Sequence, residues 1–282
     1  MNSLKSIIKD RKMILRLAKN DFKNKFAGSY FGLIWAFAQP VVIVSIYWIV
    51  FEKGLRSRPL PEMPDFPYLL WLIAGMCPWF FLNDAMNTST NCLIEYGYIV
   101  KKMKFNIDII PLIKIVSAAF VHCFFIVLVL AIYIVYGKIP TPYAFQMIYY
   151  SIGVFCFSVA LVYLTSAINV FFRDMAQIVG IIMQYAMWVI PIMLSESQYP
   201  AFMRPILKIN PMYYIVEGYR DSLIRHIGFW EHPLQTVYFW AVVIIMFIIG
   251  RTVFTKNETA FCRCYVMFKE KYIKYAGEKY GL

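Results

Sequence analysis

The acid, base and thiol side chains of this sequence do not form a catalytic or metal-binding pattern. His122 lies within an apolar run and has no acidic residue one helical turn away. We interpret it as hydrogen-bonded to a neighbouring helix, with a proton relay as the alternative. Cys262 and Cys264 form a C-x-C pair, but a zinc site needs a second pair or a nearby histidine. No glycine-rich phosphate loop ends in Lys-Ser or Lys-Thr. We therefore expect no catalytic residue, metal or cofactor in this chain.

The composition indicates where such a chain must fold. Of 282 residues, 61% are hydrophobic and 16% are charged, and the mean hydropathy is +0.60. Soluble domains are about half apolar and a quarter charged, so one soluble core cannot bury this excess. The apolar residues form long blocks and do not alternate, which disfavours a β-barrel. The sequence predicts an all-α polytopic membrane protein and excludes a disordered chain or an ordinary cytosolic enzyme.

The apolar blocks predict a single transmembrane domain, 1–282, with six transmembrane helices. These cover 30–52, 67–90, 109–136, 143–172, 176–194 and 234–254. Asn83, Asp84 and Asn87 interrupt the second block, and we expect them to face protein or water. The remaining residues 255–282 form a basic, aromatic tail.

Two further segments have patterns that differ from a transmembrane helix. Residues 1–27 hold eight basic residues beside an apolar stripe that includes Ile14, Leu15, Ala18 and Phe22. This pattern predicts an amphipathic helix in the plane of the membrane headgroups, and the alternative is a solvated helix that packs on a partner. Residues 195–233 alternate short apolar and polar pieces around an Asn-Pro turn, so we predict two short re-entrant helices there.

The positive charge predicts the orientation of the chain. With six spans, 20 Lys and Arg residues lie on the side of the termini and eight on the other side. The positive-inside rule places both termini in the cytoplasm, in the plasma (inner) membrane of the cell. The net charge of +12 then suits anionic lipids and gives no reason to expect nucleic acid.

Four short motifs occur in the order typical of one transporter family. They are residues 26–35 (FAGSYFGLIW) followed by Gln39-Pro40, residues 99–105 (IVKKMKF), residues 170–174 (VFFRD), and residues 209–211 (INP) with 217–221 (EGYRD). Over roughly 20–255 the chain resembles the polysaccharide-export permeases of the ABC type-2 class, which export O-antigen, capsule or wall teichoic acid. One departure is Asn106, where the family often has proline.

The resemblance implies a homodimer joined to two ATP-binding-cassette ATPase subunits, which hold the ATP and Mg. Its substrate would be a polysaccharide or teichoic acid polymer linked to undecaprenyl diphosphate, exported from the cytoplasmic to the outer side. The alternative is an ABC type-2 permease for a small lipid or drug. A membrane enzyme would need acid–base residues, and an ion-coupled carrier would need buried charge, and the sequence has little of either.

The resemblance also implies roles for particular residues. Residues 92–106 would form the coupling loop, with a solvated basic loop as the alternative, and its contact residues are Glu95, Tyr96, Tyr98, Lys101, Lys102, Lys104 and Phe105. Arg173 and Asp174 would form a turn at the cytoplasmic mouth, where Asp174 can cap the fifth helix. The segment 195–233 would be an external gate, with Asn210 and Pro211 at its tip and Glu217, Arg220 and Asp221 as its polar rim.

A channel for a sugar polymer needs aromatic faces and loosely hydrogen-bonding amides. Gln177, Gln184 and Trp188 recur at i, i+7 and i+11, on one face of the fifth helix. The first helix offers Tyr30, Trp35 and Gln39. We predict that these six residues line the channel, and the alternative is ordinary helix packing with an interfacial aromatic belt.

Overall fold

The computed structural model describes residues 10–54, 63, 66–97 and 107–280, with the side chains of 52 and 257–280 left undescribed. In these residues every assigned element is helical, as predicted. The helices are α1 (Arg11–Lys25), α2 (Ile34–Tyr47), α3 (Tyr68–Ser89), α4 (Cys92–Glu95), α5 (Ile109–Val135), α6 (Gln146–Asn169), α7 (Met175–Val189), α8 (Arg204–Ile209), α9 (Pro211–Arg220) and α10 (Pro233–Tyr280). Two π-helical turns, Trp48–Gly54 and Asp221–Arg225, continue α2 and α9.

Five of the six predicted segments are helices long and apolar enough to cross a membrane. They are Ile34–Phe51, Tyr68–Ser89, Ile109–Val135, Pro142–Asn169 and Pro233–Lys256. The remaining segment, the fifth, predicted at 176–194, is α7, which has only 15 residues. At 1.5 Å per residue it is about 22 Å long, less than a hydrocarbon core of about 30 Å. Its crossing of the membrane stays a prediction.

The early end of α7 has a local cause in the sequence. Proline disfavours a helical conformation in the residue before it. Ile190 precedes Pro191 and is extended, with a ψ angle of 137°, so the helix ends at Val189. The predicted boundary at residue 194 was therefore too late.

The core of the bundle is built around α3. Most of its residues are buried, because α5, α6, α7 and α9 all pack against it. On the other side of α6, α10 approaches so closely that a Cβ added to Gly250 would lie 2.8 Å from the Ala160 carbonyl oxygen. Small residues permit such close helix contacts in membrane proteins. The backbone of α10 continues to Tyr280, so the predicted tail extends the last membrane helix.

The N-terminal helix α1 packs along α5 of its own chain. Ile14, Ala18 and Phe22 are buried, and the first two contact Ile109 and Ile113. The apolar stripe is narrower than predicted, because Leu15 is 54% exposed. The in-plane position of this helix in the membrane stays a prediction, and its predicted residues 1–9 lie outside the described part.

The segment 195–233 contains the two predicted short helices, α8 and α9. They separate at Asn210, which is extended and accepts a hydrogen bond from the Met212 amide at 3.0 Å through its side-chain oxygen. Pro211 occupies the first turn of α9, where its missing N–H costs nothing. The helix break is confirmed, whereas the re-entrant position of the pair stays a prediction.

Candidate functional site

A polar cleft opens between α1, α2, α3 and α5. Its volume is about 180 Å³. Helix α3 contributes Asn83, Asp84 and Asn87, and α2 contributes Gln39. The other lining residues are Lys25, Phe26, Ala36, Pro40, Ile43, Phe80 and Val121. The polar residues that interrupt the second apolar block therefore face a cleft within the bundle, as the sequence predicts.

An ion pair and an amide pair determine the polarity of this cleft. Lys25 Nζ lies 2.7 Å from Asp84 Oδ1, and the two side chains are 36% and 31% exposed. Such an exposed pair contributes at most about 1 kcal/mol, so a ligand can displace it. Asn87 Nδ2 donates to the carbonyl oxygen and to Oδ1 of Asn83, at 2.9 and 3.0 Å. The cleft therefore presents charges and amides, which suit hydroxyl-rich ligands.

The predicted channel residues of α7 all lie on the exposed face of that helix. Val179 and Met183 are buried on one face of α7, so the opposite face is exposed. Gln177 and Gln184 are exposed on that face, and Trp188 is 65% exposed. A Cβ added to Gly180 would lie 3.7 Å from Asn87 Oδ1, so α7 passes beside the polar residues of α3. Their lining of a channel stays a prediction.

The predicted channel residues of the first helix are divided between two environments. Gln39 lines the cleft. Trp35 is 49% exposed at the start of α2, and Tyr30 is 98% exposed. The predicted start of this helix at residue 30 is too early, since Gly28 and Gly32 take positive φ angles and form turns. Tyr30 therefore precedes the helix.

Two residues of the predicted coupling loop contact their own subunit. Lys114 Nζ lies 2.8 Å from Asp21 Oδ1 and 2.9 Å from Glu95 Oε2. The Tyr96 hydroxyl donates to Asp21 Oδ1 at 2.8 Å. Burial, together with this hydrogen bond, raises the pKa of Tyr96 above its ordinary value. We call these four residues the Lys114 cluster; it attaches the start of the loop to α1 and α5.

The Lys114 cluster shows what the first residues of the predicted loop contact within their own subunit. The Tyr96 hydroxyl is used there, while Glu95 stays half exposed, and the contact of both residues with an ATPase stays a prediction. The remaining predicted contacts, Tyr98, Lys101, Lys102, Lys104 and Phe105, lie outside the described residues, and their role stays a prediction.

The turn before α7 is capped differently from the prediction. Arg173 and Asp174 are exposed, and the Asp174 side chain makes no capping hydrogen bond. The side chain of Asn169 caps α7 instead, since its Oδ1 accepts a hydrogen bond from the Ala176 amide at 3.2 Å. Its Nδ2 donates to the Thr90 carbonyl oxygen at 3.2 Å and to Asn91 Oδ1 at 2.8 Å. Asn169 therefore connects α3, α6 and α7.

The predicted polar rim of the gate is a buried cluster. Arg220 is fully buried and donates to the carbonyl oxygens of Pro191 and Ile192, at 2.7 and 2.9 Å. Its guanidinium carbon lies 3.4 Å from the centre of the Trp71 ring. It also pairs with Glu217. The prediction of a rim is wrong for Arg220 because the free carbonyls beyond α7 and the aromatic ring draw it into the core.

Glu217, whose side chain is 15% exposed, and Asp221 complete this cluster. Arg225 pairs with both, and its Nη1 lies 2.9 Å from Asp221 Oδ1. Asp221 is 3% exposed, so it too lies inside the segment and not on its rim. Burial raises the pKa of Glu217, but the charges of Arg220 and Arg225 outweigh it and leave the pKa below its ordinary value. We call these four residues the Arg220 cluster.

Two of the buried polar residues in the described part of the chain, Asn169 and Asp108, were not assigned roles from the sequence. Asn169 could have been found, because a buried amide within an apolar helix requires hydrogen-bond partners. Asp108 pairs with Arg251 at 2.6 Å, which joins α5 to α10. His122 lies 3.2 Å from Ser151 Oγ and 3.1 Å from the Tyr219 hydroxyl, which confirms its predicted hydrogen bonds to neighbouring segments. Among the described residues, no group of His, Cys, Asp and Glu could hold a metal ion.

The helical bundle with long apolar helices and an internal polar cleft defines a class of polytopic membrane proteins. The model of the ABC-2 type transporter family matches residues 13–224, more than half of the chain, and this chain belongs to that family. The stated resemblance to ABC type-2 permeases is thereby confirmed.

Two relatives carry the same descriptive name. The chain is 24% identical over 252 residues to "O-antigen export system permease protein RfbA" of Klebsiella pneumoniae. This match covers 88% of this chain and 93% of the relative. It is 23% identical over 237 residues to the protein of that name from Myxococcus xanthus. This match covers 83% of this chain and 89% of the relative. These relatives extend the likeness over almost the whole of each chain.

Proposed function

We propose that this chain is the transmembrane subunit of an ATP-driven exporter of a lipid-linked polysaccharide or teichoic acid polymer. The observation that carries the proposal is the polar cleft of Asn83, Asp84, Asn87 and Gln39 inside an apolar bundle. Polar side chains at membrane depth are costly unless they serve a path or a binding site. Membership of the ABC-2 family and the names of the two relatives support export of a glycan.

The cleft chemistry favours a hydroxyl-rich polymer over a small apolar molecule. Amides and a displaceable ion pair bind hydroxyl groups without requiring one sequence of sugars. A volume of about 180 Å³ is smaller than the roughly 300–1,000 Å³ of typical small-molecule pockets. The cleft therefore suits one segment of a chain that continues beyond it.

We propose that the energy comes from two separate ATPase subunits beneath a homodimer of this chain. Residues 92–106 would receive the motion, and the Lys114 cluster would pass it to α1 and α5. The substrate would carry undecaprenyl diphosphate, and both termini would be cytoplasmic. ATP and Mg would bind only to the ATPase subunits.

We place the gate in α8 and α9, with Asn210 and Pro211 at the break between them. Arg220 holds α9 to the carbonyl oxygens just beyond α7. A shift of α7 would therefore move α9 with it. In this mechanism the exposed amides of α7 and the gate respond together to ATP binding.

The double substitution Asn83→Leu and Asn87→Leu tests the function of the cleft. In cells that contain the ATPase partner, we expect at least a tenfold loss of surface polymer and accumulation of lipid-linked polymer inside, because an apolar wall cannot bind hydroxyl groups. The membrane level of the chain and its copurification with the ATPase should be unchanged.

Thr252→Val is the matched control for this experiment. Thr252 is exposed on α10, and its hydroxyl donates to the Ile248 carbonyl oxygen within its own helix. Its loss should leave polymer export at the wild-type level. Normal export by the double variant would contradict the proposed path, and a defect confined to a small lipid would favour the alternative substrate.

A further inference from the structure

An apolar groove lies on the surface formed by α2, α3 and α5. Its volume is about 580 Å³, within the roughly 300–1,000 Å³ of typical ligand sites. It is lined by Val41, Val44, Ser45, Trp48, Leu69, Leu128, Ile132, Val135 and Tyr136. Ser45 Oγ donates to the Val41 carbonyl oxygen at 2.9 Å, so this hydroxyl is used within α2. The groove therefore presents an almost entirely apolar wall.

The rim of the groove is open and aromatic. Val135 is 83% exposed and Trp48 is 39% exposed. Trp48 and Tyr136 lie at the C-terminal ends of α2 and α5, where these helices leave the apolar segment. Tryptophan and tyrosine are enriched at such positions, at the boundary between hydrocarbon and headgroups.

Two lysines follow the rim residues Trp48 and Tyr136 in the chain. The Lys138 ammonium lies 5.5 Å from the centre of the Phe66 ring. The π-helical turn Trp48–Gly54 brings Lys53 Nζ to 5.4 Å from the Trp48 ring. After α5, Gly137 takes a φ of 72°, and the Lys138 amide donates to the Tyr133 carbonyl oxygen at 2.9 Å. This is a Schellman ending, which fixes the chain just beyond Tyr136. Both lysine side chains are exposed.

We propose that the groove binds one anionic phospholipid, with an acyl chain along the apolar wall and the phosphate beside Lys53 and Lys138. The charge argues for this occupant, since two cations at one end of an apolar groove complement a lipid with a net negative head. A zwitterionic lipid would bring its own cation beside the two lysines, and the apolar surface of a second protein copy would offer them no counter-charge. Such a lipid would join α2 to α5 beside α3.

The quenching of Trp48 fluorescence by brominated lipids tests this site. The full chain is reconstituted in phosphatidylcholine vesicles containing brominated phosphatidylglycerol or brominated phosphatidylcholine. The Trp48 signal is the difference between the wild type and Trp48→Phe. Each lysine near a membrane surface favours anionic lipid by about fivefold. We expect a preference for phosphatidylglycerol on the order of 25-fold at Trp48, which falls to about fivefold in Lys53→Gln or Lys138→Gln.

A matched control removes one charge outside the groove. Lys208 is at the same end of the bundle: its Nζ lies 2.7 Å from Glu196 Oε1, three residues after Met193, whose carbonyl oxygen accepts a hydrogen bond from the Tyr68 hydroxyl. Lys208→Gln should leave the preference unchanged, and an equal fall would overturn the site in favour of general surface charge. Equal quenching by both lipids, as expected of a lipid annulus, would also overturn it. Quenching by neither lipid would show that protein covers the groove.

Discussion

Arg220 makes contacts that a guanidinium group provides and other side chains do not. It donates to two carbonyl oxygens beyond α7, pairs with Glu217 and lies over the Trp71 ring. A Cβ added to Gly75 would lie 2.8 Å from its Nη2, so the glycine leaves room for the group. A lysine has no planar fork and could not make all of these contacts. Arg220 therefore holds α9 to α3 and to the end of α7.

Arg220→Leu should destabilise the chain strongly. It leaves Glu217 as a buried charge with one fewer partner and the carbonyl oxygens of Pro191 and Ile192 without their donor. Breaking a buried ion pair costs about 3–5 kcal/mol. We expect a large decrease in the thermal unfolding temperature of the purified chain in detergent.

Arg204→Leu provides the comparison for that experiment. Arg204 also donates to two backbone carbonyl oxygens, those of Tyr199 and Ser197, but it is exposed to the surroundings. Its loss should cost about 1 kcal/mol. Equal unfolding temperatures for the two variants would refute the structural role of Arg220.

At the scale of the helices, local signals in the sequence predict where a helix ends better than they predict which other helices it packs against. Pro191 ends α7, and Asn210-Pro211 separates α8 from α9, because proline acts on the adjacent residue. Five of the six helices predicted from the apolar blocks are long enough to cross a membrane, because hydropathy is a property of consecutive residues.

Contacts between distant residues could not be predicted in this way. The Tyr96 hydroxyl donates to Asp21, 75 positions away, and Arg220 reaches carbonyl oxygens 28 and 29 positions away. Nothing in the local pattern distinguishes a charged residue on a rim from one paired in the core. The sequence therefore predicts the polar face of α3 but misses the Lys114 and Arg220 clusters.

The Lys114 cluster leads to a prediction about the mobility of α1 and α4. Asp21→Asn removes the carboxylate that pairs with Lys114 and accepts from Tyr96. Loss of hydrogen bonds to a charged group costs about 1.5–3 kcal/mol. We expect at least tenfold faster hydrogen exchange of the backbone amides in α1 and in residues 92–97.

Asp10→Asn is the control for this exchange experiment. Asp10 precedes α1 and makes no side-chain capping hydrogen bond to it. Its substitution should leave exchange in residues 92–97 unchanged. Exchange in Asp21→Asn at the wild-type rate would show that the cluster does not hold α4 in place.

At the scale of the whole molecule, the exposed face of α7 is the surface where we expect a second copy of this chain to pack. Gln177 and Gln184 lie beside exposed Ile181, Tyr185 and Trp188 on a helix that packs against its own chain only through the opposite face. Amides in an apolar helix are costly against lipid and favourable against protein or a wet path. This supports the homodimer inferred from the family resemblance, with α7 near the seam.

Cross-linking of single cysteines can locate that seam. In a background without Cys77, Cys92, Cys123, Cys156, Cys262 and Cys264, Ile181→Cys should form covalent dimers with a short bis-maleimide in native membranes. Ile152→Cys is the matched control, since Ile152 lies on α6 and is 53% exposed while Ile181 is 47% exposed. It should stay monomeric, because we expect α6 to face lipid there. Dimers from Ile152→Cys without dimers from Ile181→Cys would move the seam to α6 and remove α7 from the proposed channel.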